Sequence, residues 1–210
     1  MWALVDDADN VTEIIAHPKS LIIDDIRHPK KIFSAWTDEE KRAIGLYEVT
    51  PASKFDESYY INSNASYAKV GTKVVETITK VADKALADVN EVDENGDPLL
   101  DDDGVQVVTL GLKSNAKNKA TTSANGYLQG FDWLIQRKVT ANTAIPSAVT
   151  TYMAAIRTDH GNICTALDAA ADMDAFIALH TTTYNADNTV NVIAKTQSWT
   201  SDANVKAYRR

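Results

Sequence analysis

Two hundred and ten residues, 44% of them hydrophobic, suffice for one large domain or two small ones with a buried core. No apolar run approaches the roughly 20 residues that span a bilayer, and the opening Met1-Trp2-Ala3-Leu4-Val5-Asp6-Asp7 lacks a basic and then apolar leader. A soluble chain made in the cytoplasm, without membrane insertion, is therefore expected. Residues 1–110 carry 11 Lys+Arg against 22 Asp+Glu, whereas 111–210 carry 10 against 7. That balance offers no basic stripe for following phosphates, so nucleic-acid binding is not expected, while head-to-tail attraction between copies is.

In chain order, Trp2 to Val5 and Val11 to Ala16 are apolar runs joined by Asp6-Asp7-Ala8-Asp9-Asn10, whose Asp and Asn residues bond their own main chain in turns. A hairpin is predicted there, and a tighter one where Leu21-Ile22-Ile23 and Ile26-Arg27 flank Asp24-Asp25. Thr37-Asp38-Glu39-Glu40 is a capping box: the Thr37 hydroxyl can accept from the Glu40 amide, and the Glu40 carboxylate from the Thr37 amide. A short helix starts there, Lys41 and Arg42 suit its end, and Gly45 stops it before a strand from Leu46 to Val49. So short a helix is stable only if Phe33, Trp36 and Ile44 pack on the sheet. The β-branched run through Val70, Val74, Val75, Ile78 and Val81 reads as strands turning at Gly71-Thr72, with Tyr59, Tyr60 and Tyr67 in the same β layer.

Between Asp83 and Asp103 nine carboxylates face one lysine, and Asn95-Gly96 and Asp103-Gly104 favour tight turns, so residues 83–104 read as an exposed acidic arm of short strands leading into Val105-Gln106-Val107-Val108. From Leu110 the period becomes helical. Leu110 to about Leu128 is polar and poor in large apolar anchors, which suggests docking on a partner or on the β domain. The clearest helix starts at Pro146, a first-turn residue, and carries Val149, Tyr152, Met153, Ile156, Ile163 and Leu167 at helical spacing. Asp174 to Leu179 forms a short helix that presents Phe176 and Leu179 back to it.

The expected fold class is α+β: a small antiparallel β domain with one short helix over residues 1–109, a helical domain over 110–180, and an extended interaction tail over 181–210. A polar stretch with few large side chains does not bury enough area to order itself. Trp199, Tyr208, Arg209 and Arg210 are therefore the expected partner interface, aromatic and arginine side chains being those that anchor interfaces. For Trp199 itself, folding back on its own chain is the other reading.

The remaining candidates are weighed by chemistry. Asp93, Asn95 and Asp97 alternate oxygen ligands as a calcium loop does, yet Pro98 occupies the position where that loop needs Gly and no bidentate Glu follows, so an acidic hairpin is the simpler reading. Cys164, the only cysteine, adjoins the apolar stripe of the clearest helix and reads as core. His17 and His28 precede prolines and shape turns, while His160 and His180 stand alone. Trp36, Trp133 and Tyr152 could form a sugar-stacking platform, but their aliphatic neighbours favour core packing. There is no Gly-rich phosphate loop, no Gly-x-Ser-x-Gly and no His-Glu-x-x-His, so no catalytic, cofactor or metal residue is assigned, and an enzyme is not expected.

Four segments carry a resemblance: Asp132-Trp133-Leu134-Ile135-Gln136-Arg137-Lys138, the run Ala144 to Arg157, Arg27 to Trp36, and Ala43 to Val49. Over about Trp2 to His180 the chain resembles a family of small proteins of marine tailed bacteriophages that sit among tail-fibre and baseplate proteins. The resemblance implies a non-enzymatic structural component of the virion, at the tail tip, baseplate or fibre attachment. It would be synthesised in the host cytoplasm, would contact other virion proteins, and would be homo-oligomeric in the assembly. A tail-fibre assembly chaperone is the alternative, and a receptor-binding lectin-like module the third.

Overall fold

Alternation along Trp2–Val5 (β1) divides its side chains between two faces, Trp2 and Leu4 on one and Ala3 and Val5 on the other, and both faces are covered. The computed structural model describes residues Met1 to Arg210 and has the α+β class expected, with most strands in the N-terminal part of the chain and the long helices in the C-terminal part. Contacts divide the chain into two compact units, Met1–Asp83 and Lys84–Arg210. The division falls earlier than the expected 109/110.

In the first unit β1 pairs antiparallel with Val11–Ile15 (β2) across the Asp6–Asn10 turn. Leu21–Ile23 (β3) and Ile26–His28 (β4) form the tighter hairpin, with Asp24 and Asp25 both left-handed at φ 51° and 65°. Two short helices follow where one is expected: Ile32–Ala35 (α1), a single turn, and Asp38–Arg42 (α2), which starts on the full capping box. Next comes Leu46–Thr50 (β5). Gly45 joins α2 to β5 at φ +74°, and a β-carbon there would lie 2.6 Å from the Val5 carbonyl oxygen, so glycine is needed for both conformation and space. Tyr60–Asn62 (β6), Ser66–Val70 (β7), Lys73–Thr77 (β8) and Lys80–Asp83 (β9) complete the unit.

The main sheet runs β2-β1-β5-β8-β7, and its β5/β8 pair is parallel, which corrects the purely antiparallel expectation. The long connection from Pro51 to Thr72 is what makes a parallel return possible. Tyr67 lies in this sheet but Tyr60 belongs to a separate β6/β9 ribbon, so the tyrosines do not share one layer. On one face Phe33 and Ile32 pack with Ile15, Leu21 and Leu46, and Trp36 and Ile44 lean on the cluster as expected. On the other, Val49 and Val74 pack with Ala3 and Val5, flanked by Tyr47 and Tyr67.

The second unit opens with the acidic segment. Val89–Asn90 (β10) pairs with Val108–Thr109 (β11), and Leu112–Leu128 (α3) follows. Gly111, at the N-cap of α3, has no side chain to offer the open amides of the first turn. Asp88 replaces it: one carboxylate oxygen accepts from the Gly111 amide at 2.8 Å and the other from the Ser114 hydroxyl at 2.9 Å. The Leu112 and Lys113 amides donate to the carbonyls of Ala85 and Leu86. The root of the arm is thus the cap of α3, which is why it partitions with the helices.

Asp132–Ala141 (α4), Ser147–Ala169 (α5) and Met173–His180 (α6) complete the helices. Every residue of the expected α5 stripe is buried, Val149, Ile156, Ile163 and Leu167 completely. Pro146 stands at its N-cap, just outside the first turn where it was expected. Docked on α5 is α3, through Ala116, Ala120 and Ala124 at four-residue intervals. This corrects its expected docking on a partner or on the β domain: alanines make a narrow, smooth face on which two helices come close.

Candidate interaction site

The C-terminal tail folds onto its own helices, which corrects the expectation of an extended segment ordered by a neighbour. Thr183–Tyr184 (β12) and Val190–Val192 (β13) form a small hairpin, and the chain then crosses α5, where Asp159 accepts from both the amide and the hydroxyl of Thr200 at 2.7 Å. Trp199 packs against Tyr127 with ring centroids 5.3 Å apart, and its indole donates to the Thr196 carbonyl. Val205 is buried in the cluster of Phe131, Leu134, Tyr152 and Ile156. Few anchors suffice because the bundle leaves a seat for each.

Of the other three expected interface residues, Arg209 is committed within the chain: it pairs with Asp202 at 2.9 Å and donates to the Gly126 carbonyl at 3.0 Å. The Tyr208 carbonyl accepts from the Trp133 indole at 2.9 Å, while its side chain stays exposed. Arg210 lies over the Trp133 ring at 4.0 Å, and Arg137 lies over the same ring at 5.0 Å. Only Tyr208 and Arg210 remain open to a partner.

The acidic ribbon is more ordered than its composition suggests. The Glu91 amide donates to Val107, Val107 to Leu99, and Leu99 back to Glu91, at 2.8 to 2.9 Å, closing a cycle of three short segments. Gln106 sits at its centre, its side-chain amide donating to the Glu91, Leu99 and Val107 carbonyls at 2.7, 3.1 and 2.9 Å. The three segments recur every eight residues. So do their turns: Asp93 and Asp101 each accept from the amides two and four residues on, and Gly96 and Gly104 each take positive φ. The same five-residue turn, with its left-handed fourth position, recurs at Asp6–Asn10 and at Asn185–Thr189. It is a type I turn with a one-residue bulge, built wherever Asp or Asn starts the loop.

Asp6, Asp93 and Asp101 are the acceptors of these turns, and Asp88 is the acceptor of the α3 cap. Asp93 is held below its ordinary pKa by the Asp97 amide and then the Asn95 amide, Asp6 by the amide and side chain of Asn10, and Asp88 by the Gly111 amide and then the Ser114 hydroxyl. No three or more His, Cys, Asp or Glu side chains converge as a metal would require. Asp93 turns its oxygen onto its own loop.

The remaining reactive side chains have structural surroundings. His160, expected to stand alone, has its Nε2 3.0 Å from the Thr121 hydroxyl and 3.5 Å from Cys164 Sγ. Burial raises the Cys164 pKa, so the thiol stays protonated and is no activated nucleophile. His28 is buried edge-on to Trp36, at 5.5 Å between centroids. Lys41 is buried too, its ammonium 4.5 Å from the Trp2 ring centre and 3.3 Å from Asp38. The proposed platform is dispersed: Trp36 lies in the first unit, Trp133 faces Arg137 and Arg210, and Tyr152 is core. A groove of about 320 Å³ runs between α5 and the tail past Thr151, Thr200 and Asn204, but the buried Tyr152 hydroxyl beside it is sealed from solvent.

Comparison with protein-family models, curated proteins and solved structures finds no match to this chain.

Proposed function

We propose that this chain is a non-enzymatic structural component of a tailed-phage virion, at the tail tip, baseplate or fibre attachment, where it works by holding partners together. One observation carries the docking role: a β ribbon closed by its own backbone hydrogen bonds displays carboxylates without ion pairs beside exposed aliphatic side chains, with no covering element from its own chain. A scaffold that is ordered before it meets a partner loses little conformational entropy on binding. The phage setting comes from the resemblance carried by Arg27 to Trp36, Ala43 to Val49, Asp132 to Lys138 and Ala144 to Arg157. The test is mass spectrometry of purified particles from a phage that encodes the chain. Fixed stoichiometry with the tail proteins is expected, and absence from the particles overturns the virion assignment.

The assembly-chaperone reading keeps one observation in its favour. The tail is ordered by contacts within the chain, so it needs no permanent neighbour. A chaperone would co-purify with free fibre protein and be missing from finished particles, and the same spectra separate the two.

A further inference from the structure

Residues 84–110 carry one Lys against eight Asp+Glu, and so supply −7 of the net −8 of the chain. The seven carboxylates from Glu91 to Asp103 form no ion pair. Beside them Val92, Leu100 and Val105 are 56%, 54% and 59% exposed, although the hydrogen-bonded cycle holds them in fixed positions. A disordered acidic loop would be a solvated tail. An ordered one that exposes aliphatics is half of an interface.

The same unit holds a surface of opposite character. Arg137 and Arg210 converge on the Trp133 ring, at 5.0 and 4.0 Å, and neither guanidinium has a carboxylate partner. Arg137 Nε is buried with no acceptor at all. On the same helix Lys138 is exposed and adds a further positive charge. Two guanidiniums on one indole, left without anions, form a receptor for carboxylates, because a planar fork binds a carboxylate through two parallel hydrogen bonds and the ring supplies apolar contact.

The geometry points to head-to-tail self-association: the acidic ribbon of one copy docks on the Trp133–Arg137–Arg210 surface of the next. The occupant is a second copy because the chain carries both complementary halves, and each lacks a partner of its own. The two patches are different, so the contact is heterologous, and it leaves one ribbon and one arginine surface free at the ends of any oligomer that has not closed. It propagates to a ring or a filament. This deepens the docking role proposed above and says what the ribbon grips.

Analytical ultracentrifugation of the full chain tests it. The native protein is expected to self-associate with rising concentration, and less so as salt is raised to about 0.5 M. Two variants each disable one face: Arg210→Glu with Arg137→Gln, and Asp97→Lys with Asp102→Lys and Asp103→Lys, none of these carboxylates being a turn acceptor. Each alone should weaken association by roughly tenfold or more. Mixed together, each still offers its intact face, so the mixture should form one-to-one dimers and nothing larger. Melting curves matching the native protein confirm folding, and if the arginine pair unfolds the unit, Arg210→Glu alone serves. Native protein that stays monomeric up to roughly 200 µM overturns the proposal, as does a mixture that stays monomeric or a ribbon variant that associates like the native chain. Failure here leaves a virion subunit that binds other proteins, whereas absence from particles with self-association intact would remove only the virion assignment.

Discussion

The indole nitrogen of Trp133 donates a 2.9 Å hydrogen bond to the backbone carbonyl of Tyr208, and so fastens the C-terminus to α4 from 75 residues away. The contact is one of a set: Val205 fills the core, Arg209 reaches the Gly126 carbonyl, and the Arg210 amide donates to Gly130. Deleting Ser198 to Arg210 should therefore destabilise the helical unit, by about 3 to 5 kcal/mol from the lost core side chain and the cavity it leaves. Urea denaturation followed by tryptophan fluorescence measures this. An unchanged midpoint would mean that the tail is a loose lid.

Ile156 lies fully buried at the centre of the α5 stripe, among Phe131, Leu134 and Val149. Ile156→Asp should cost several kcal/mol, since a carboxylate would be buried without a partner. Ile156→Val, which removes one methyl group, should cost about 1 kcal/mol. The ratio between the two, read by thermal melting, distinguishes a packed site from an exposed one, where the two would be alike.

The features legible in the sequence are those set by local chemistry. The capping box at Thr37, the turns opened by Asp6 and Asp24, and the period of α5 each involve residues within a few positions of one another, and the structure has them all. What escaped is non-local or rests on small side chains. Ala116, Ala120 and Ala124 barely register in an apolar pattern, yet they seat α3 on α5. Asp88 caps a helix that starts 24 residues later, and nothing in its neighbourhood indicates that. For the interface, the sequence singles out Trp199 and Arg209 for their chemistry. It does not reveal that both already have partners within the chain, so only Tyr208 and Arg210 stay available.

Acid should loosen the second unit through that remote cap. Asp88 is held below the ordinary 3.8, first by the Gly111 amide and then by the Ser114 hydroxyl. A pKa lowered on folding contributes stability at pH above the unfolded value, and the contribution is lost as pH falls through the folded one. The melting temperature should thus decline below about pH 4, where carboxylates take up protons. Asp88→Asn removes the titration but keeps an oxygen acceptor, so its curve should start lower at neutral pH and fall less steeply in acid. Parallel curves for the two proteins would show that Asp88 does not report on the cap.

At the front of the chain, Thr37→Ala should cost about 1 kcal/mol, because the Glu40 amide loses its acceptor in the first turn of α2. Gly45→Ala should cost more. The backbone there is left-handed, and a methyl group would press on the Val5 carbonyl, whose own amide is bonded to Gly45. Differential scanning calorimetry of the two variants gives the order directly, and an equal cost would mean that the β1/β5 pair yields to the methyl.

Gln106 is the residue on which the ribbon's rigidity depends. Its side-chain amide has two hydrogens to share among three carbonyls, those of Glu91, Leu99 and Val107, and these belong to the three segments of the cycle. Gln106→Leu keeps the bulk and removes the donors. The carbonyls would then turn toward water, and the amides that close the cycle would open more often. Hydrogen exchange at Glu91, Leu99 and Val107 should accelerate by roughly fivefold, for the loss of about 1 kcal/mol of hydrogen bonding. Exchange in α5 should stay unchanged, since the ribbon contributes nothing to its buried stripe. If exchange at the three amides matched the native chain, the backbone cycle would be holding the ribbon without its central side chain.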